Sequence, residues 1–444
     1  RRRSDGLRHA AAEAQSAVTG LAGMAFGEIT MRFSFGSAVA ALVPLALLVL
    51  PAPAPAQAVE NPPTFNAAKI PGIKRVGENY TIRNPVHSDG ILRVYVLDTP
   101  YGEFTVNGDE MLRMRINELK ALAELEKVST SQSFGKALAE AGLSPLTFTG
   151  RLVLNPVKTL GDTVAGVGGF FNRIGAGLNN AGKTPDDPMA NLLGVTDQRR
   201  QLAAAYGVDP YTDFPPLAAK LDQLSQAAAM GGLAVTGAMF AIPGGVAALV
   251  VSNLSTANQL NNIGMQELAR DYTAPQILDI NRGLLDKMGI APGLRERLLA
   301  NAHYTPIDMA AMVAALDSMK TVKNRAAFVE RAADANGRAI AYFMRRQAEL
   351  LADDYRKHRN YRRFVALASY PFVVTSNGKV MALLPIDALS WTKITSRGFT
   401  QVTAERRRAE PKARGEMRIA GTATRLAKRQ LGRQGWTVIE HARP

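Results

Sequence analysis

The chain has 444 residues, 47% of them apolar and 20% charged, a balance that fits a folded protein with a sizeable core. It contains no cysteine, which excludes disulfides, thiolate catalysis, cysteine-ligated zinc, iron–sulfur clusters and lipid attachment through an N-terminal Cys. The formal net charge is +15, and residues 323–444 carry about the whole of that excess, while residues 59–322 are close to neutral.

Residues 1–30 contain no initiator Met and read as a non-native upstream extension of the gene product. Residues 31–58, MRFSFGSAVAALVPLALLVLPAPAPAQA, have the pattern of a secretory signal peptide. Arg32 supplies the positive start, an apolar run follows from about Ala38 to Leu50, and small residues offer cleavage at Ala54-Pro55-Ala56 or Ala56-Gln57-Ala58. Arg1–Arg3 lie too far from the apolar run to form a twin-arginine signal. The expected address is the periplasm or cell envelope of a Gram-negative bacterium, and about 386 residues remain after export.

Residues 59–78 are rich in Pro and Gly and read as a linker. A β-meander is expected next, with strands at Tyr80–Val86, Ile91–Asp98 and Glu103–Val106. Asp89-Gly90, Pro100-Tyr101-Gly102 and Asn107-Gly108 are the turns. Leu92, Val94 and Val96 form its expected apolar face. A helix runs from Asp109 to about Val128, with Leu112, Ile116, Leu119 and Ala123 on one stripe. Its charged residues, Glu110, Arg113, Arg115, Glu118, Lys120, Glu124 and Glu126, fit a solvated face.

The region 129–322 reads as helical, with segments near 131–142, 156–180, 196–206, 215–242, 244–270, 275–288, 292–301 and 306–320. Within it, Ala227–Val251 is uncharged for about 25 residues, broken by Pro243-Gly244-Gly245. That run reads as a buried hairpin, with a membrane-inserting segment as the alternative. Gly161–Gly182 reads as a helix packing closely through its glycines, with an interfacial helix as the alternative.

Residues 323–444 open with one long helix, about 324–357. A hairpin follows at Phe372–Thr375 and Lys379–Leu384 around Ser376-Asn377-Gly378, then a basic helix near 388–410. The end reads strand 416–420, helix 422–434, strand 436–440, so its two strands are expected to be parallel. The fold class is α+β: a mostly helical middle, an N-terminal antiparallel meander and a small C-terminal mixed sheet. The two sheet-forming ends are expected to join into one sheet.

The search for catalytic chemistry is negative. Gly177–Thr184 matches G-x-x-x-x-G-K-T, but no strand precedes it and Pro185 follows, so it reads as a Gly/Asn-rich loop. His87, His303, His358 and His441 lack metal-ligand spacing, and the adjacent pairs Asp186-Asp187 and Asp353-Asp354 are poor chelators. No metal, cofactor or catalytic residue is assigned. The candidate partner surface is the basic C-terminal set Arg406, Arg407, Arg408, Lys412, Arg414, Arg418, Arg425, Lys428, Arg429 and Arg433. Its expected partner is a lipid head group, lipopolysaccharide or an acidic protein. Nucleic acid is disfavoured because only Trp391, Phe399 and Trp436 offer stacking.

The blocks Asn155-Pro156-Val157-Lys158-Thr159, Val208-Asp209-Pro210-Tyr211-Thr212 and Gly421-Thr422 with Gly435-Trp436-Thr437-Val438 resemble a family of exported proteobacterial proteins of unknown function. That resemblance implies one folded unit and a fixed structural turn at Val208–Thr212, and supplies no activity. The expected function is an exported interaction or structural protein. Membrane activity through 227–251 and an unrecognised hydrolase are the alternatives, the last marked by a deep polar pocket with converging Asp, Glu or His.

Overall fold

The computed structural model describes residues 59–129, 196–230 and 264–442. The signal-peptide pattern, the G-x-x-x-x-G-K-T loop, Gly161–Gly182 and most of the apolar run 227–251 lie outside the described residues.

Strands β1 (Val76–Gly77), β2 (Tyr80–Ile82), β3 (His87–Ser88), β4 (Arg93–Thr99) and β5 (Gly102–Asn107) form an antiparallel sheet around β4. Tyr95 and Leu97 of β4 are buried, while Val94 and Val96 are only half-buried. Leu92, just before β4, is buried as expected, but within β4 the inward face is the opposite of the one expected. Arg93 can occupy the inner face because its guanidinium pairs with Asp109 at 2.6 Å, a carboxylate that also accepts from Tyr95. The expected linker is packed as well. Ala67, Ile70 and Ile73 are buried, and Phe65 pairs with Val86 through two backbone hydrogen bonds of 2.8 Å.

The helices follow: α1 (Asp109–Ser129), α2 (Asp197–Ala205), α3 (Pro215–Met230), α4 (Met265–Asp271), α5 (Ala274–Lys287), α6 (Pro292–Leu299) and α7 (Pro306–Ser318). Proline at the first or second position of α5, α6 and α7 costs no hydrogen bond there. The Thr305 hydroxyl caps α7 by accepting from the Asp308 amide. The single long helix expected at 324–357 is two, α8 (Ala326–Ala333) and α9 (Arg338–His358), because Asp334–Gly337 breaks it.

The C-terminal sheet has the order β12-β10-β8-β7-β6. Its members are β6 (Tyr361–Leu367), β7 (Tyr370–Thr375), β8 (Val380–Leu384), β10 (Gly415–Ile419) and β12 (Trp436–Ile439). The sequence reading missed β6. The strands β8, β10 and β12 are parallel, linked by α10 (Lys393–Ala409) and α11 (Arg425–Arg433). Both crossovers step along the sheet in one direction, so right-handed connections put α10 and α11 on the same face.

The architecture is α+β, but the two ends do not share a sheet. They meet at Asp387, beside the short ribbon of β9 (Ala388–Leu389) and β11 (Thr422–Ala423). The Asp387 and Ala388 amides donate to the Ile91 carbonyl, and Asp387 Oδ2 accepts from the Arg93 and Asp109 amides at 3.1 Å. A Cβ on Gly421 would lie 1.9 Å from the Asp387 carbonyl oxygen, so glycine is required there.

Candidate functional site

Two features stand out: the basic C-terminal surface and a charge-lined cavity among α1, α2, α4, α7 and α9.

The RRR triplet of α10 is not three equivalent charges, because successive helix residues point about 100° apart. Arg406 falls at the i+4 and i+7 positions from Val402 and Phe399, on the apolar stripe, and is buried. Its guanidinium packs over Trp436 at 5.0 Å and donates to the carbonyls of Ala413 and Gln434, the latter at 3.1 Å. Burial without a carboxylate partner pushes its pKa below the usual arginine value, with the Arg407 charge adding to the effect. Arg406 therefore ties the end of α10, the 410–414 turn and the end of α11 together. Arg418 is also structural, bridging Glu416 and Asp354, each at 2.7 Å.

Arg407, Arg408, Lys412, Arg414, Arg425, Arg429 and Arg433 are exposed and make no ion pair among the described residues. Lys428 is exposed and pairs with Glu440 at 2.8 Å. On α11, Arg425, Lys428, Arg429 and Arg433 span an arc of roughly 140° opposite the buried Ala427 and Leu431. The nearby carboxylates are occupied: Glu405 accepts from the Ala368 amide, Glu410 pairs with Arg363, and Glu416 with Lys379. The positive charge of this face is left uncompensated. Trp391, Phe399 and Trp436, named for base stacking, are all core residues.

The cavity has a volume of about 140 Å³. Glu110, Arg113, Met114, Asn117 and Glu118 line it as one stripe of α1, facing Val208, Asp209, Ile307, Asp308, Tyr342 and Arg345. Arg115 and Glu118, expected on a solvated face, are buried. They belong to an unbroken alternating chain of five arginines and five carboxylates. It runs Arg113–Glu110 (3.0 Å), Glu110–Arg346 (4.0 Å), Arg346–Glu349 and Glu349–Arg345 (3.2 Å). It continues Arg345–Asp308 (2.5 Å), Asp308–Arg338, Arg338–Asp213 (3.2 Å), Asp213–Arg115 (2.7 Å) and Arg115–Glu118 (2.6 Å). Burial disfavours the charged forms of Arg115, Glu118, Asp308, Arg345 and Glu349, and the opposing charges offset that cost. The neighbouring guanidiniums hold the buried Asp308 and Glu349, and the partly exposed Asp213, below the usual carboxylate range. For Glu118, desolvation outweighs Arg115 and the pKa is raised.

No known family, curated protein or solved structure matches this chain. The site is therefore read from its own geometry. The Val208–Thr212 block forms a turn. Gly207 leaves α2 at φ +64°, the Thr212 amide donates to the Asp209 carbonyl, and the Thr212 hydroxyl donates to Glu118 at 2.5 Å. Asp209 accepts from the Tyr211 amide at 2.8 Å and the Thr305 hydroxyl at 2.6 Å. Among the described residues, it alone of the cavity carboxylates has no ion pair. Burial, reinforced by the Asp308 charge, pushes its pKa up to about 6.

Among the described residues, no group of His, Asp and Glu is placed to hold a metal ion, and no helix is long and apolar enough to cross a membrane. Leu224 and Ala227, where the apolar run begins, are buried in the core. The cavity meets the polar-pocket criterion of the hydrolase alternative in part. It converges Asp and Glu, but among the described residues its lining contains no Ser, Thr or His to act as nucleophile or second base.

Proposed function

We propose that this chain is an exported protein of the cell envelope that docks on an anionic, phosphate-bearing surface through α10, α11 and the turn between α10 and β10. It acts by binding rather than by catalysis. The signal-peptide pattern of residues 31–58 supports export. The observation that carries the docking reading is the buried Arg406. It fastens together the three segments that carry Arg407, Arg408, Lys412, Arg414 and Arg433, which supports a shared surface.

Lipid head groups suit this surface better than a single small anion. The cations are spread over two helices and a turn, so each can meet a separate phosphate. The large hydrophobic side chains exposed among the described residues are Val59, Val76 and Ile439, so attachment would be electrostatic rather than by insertion. Sedimentation of residues 59–444 with phosphatidylglycerol and with phosphatidylcholine vesicles tests this. Binding should require the anionic lipid and weaken steeply with salt, since exposed charges are screened over about 8 Å at physiological ionic strength. Equal binding to both vesicles, or capture by an acidic protein with no lipid binding, would overturn it.

A further inference from the structure

The alternating chain of ion pairs around the cavity is balanced: five guanidiniums face five carboxylates. Asp209 stands beside that chain as an additional, uncompensated carboxylate on the cavity wall. Each of its oxygens accepts one hydrogen bond, so each keeps a lone pair for a further donor. A half-buried carboxylate that the fold leaves without an ion pair is costly. Here every nearby arginine is already bridging other acids. A cation from outside the chain would supply the counter-charge that no arginine of the site gives Asp209 directly.

The rest of the lining defines what can carry that charge. Met114, Ala204, Val208, Met265, Ala269 and Ile307 form an apolar wall. The volume of about 140 Å³ is close to that of cavities that accept a benzene-sized molecule. We propose that the cavity is a binding site for a small organic cation, a protonated primary amine on a short apolar body, with Asp209 as its counter-ion. Asn117 and the Tyr342 hydroxyl are polar groups on the same wall. No bond is made or broken, and the site is independent of the basic C-terminal surface.

The proposal fixes a pH dependence. An alkylamine stays protonated throughout the relevant range, since such groups titrate near 10. Asp209 is charged above about 6, so amine binding should be full above that pH and fall as Asp209 takes up a proton below it. The other charged or titratable groups facing the cavity are Glu110, Arg113 and Glu118 on α1, Asp308 on α7, and Arg345 and the neutral Tyr342 on α9, with Arg338 behind them. His303, before α7, is held below its usual value by burial and Arg338. A titration from Glu118 or His303 would persist in Asp209→Asn, whereas one from Asp209 would vanish.

The test is calorimetric titration of the protein with n-butylammonium and with n-butanol as its neutral counterpart. Butylammonium should bind at pH 7.5 and lose affinity below pH 6. Butanol should bind at least roughly tenfold more weakly, without pH dependence, as expected when a charge-assisted contact is missing. Asp209→Asn should abolish the preference for the amine and leave butanol binding unchanged. Equal affinity for amine and alcohol in the unmodified protein, or no binding of either at millimolar concentration, would overturn the proposal without recourse to any variant.

Discussion

Replacing Arg406 by Ala separates its structural role from that of its neighbours in the RRR triplet. The change removes donors from the Ala413 and Gln434 carbonyls and a cation from the face of Trp436. Each lost hydrogen bond costs about 1 kcal/mol net, and the cation–π contact contributes about 0.5–2 kcal/mol. Shedding a guanidinium that is buried without a carboxylate returns part of this. The expected loss is therefore about 2–3 kcal/mol. Arg407→Ala, at an exposed site without an ion pair, should stay within about 0.5 kcal/mol. Urea unfolding followed by Trp fluorescence reads both directly, because Trp436 is one of only two tryptophans in the chain. If the two variants unfold at the same midpoint, the hub reading of Arg406 is wrong. The reasoning also fails if Arg406→Ala keeps its midpoint and loses only vesicle binding.

Two further predictions concern the fold and the cavity. Gly421→Ala should cost about 1–3 kcal/mol by overpacking against Asp387. Gly432→Ala, on a helix with open space around it, should gain about 0.5–1 kcal/mol; matching urea midpoints for the pair would contradict the close-approach account. Asp209 has a folded pKa near 6, raised above its ordinary 3.8, so the folded state binds its proton more tightly than the unfolded state does. Its ionisation therefore costs stability as pH rises from about 4 to about 6, by about 3 kcal/mol in full. Asp209→Asn should flatten the stability profile across that window and leave the protein more stable at pH 7; an unchanged slope between pH 4 and 6 would refute the assignment.

Several elements were legible because their cause is local. The hairpin at Ser376-Asn377-Gly378, the helix from Asp109 and the parallel pairing of β10 with β12 follow from turn residues, periodicity and chain order. The misses have non-local causes. The face of β4 was inverted because Arg93 is made an inner residue by Asp109, sixteen positions away. Arg115 and Glu118 read as solvated because their partners are remote in sequence: Asp213 lies 98 residues from Arg115, and Thr212 lies 94 residues from Glu118. The segment 59–78 has a linker's composition, yet Ala67, Ile70 and Ile73 find the N-terminal sheet. Of the ten basic residues named for a partner surface, Arg406 and Arg418 are structural. Only the position of Arg406 at helical spacing from Phe399 and Val402 signalled this. The cavity had a fainter trace, the Val208–Thr212 block, whose Val208 and Asp209 line it and whose Thr212 donates to the lining residue Glu118.

The central claim is that the exposed cations on the segments fastened by Arg406 hold an anionic lipid surface. The most direct measurement is flotation of residues 59–444 with phosphatidylglycerol vesicles at low and physiological salt, beside the variant Arg407→Gln, Arg408→Gln, Arg414→Gln, Arg433→Gln. All four sites are exposed, so the variant should unfold within about 1 kcal/mol of the parent. The account predicts that the parent floats with the vesicles at low salt and that the variant, equally folded, stays behind. Equal flotation of the two, or none by the parent even at low salt, would contradict it.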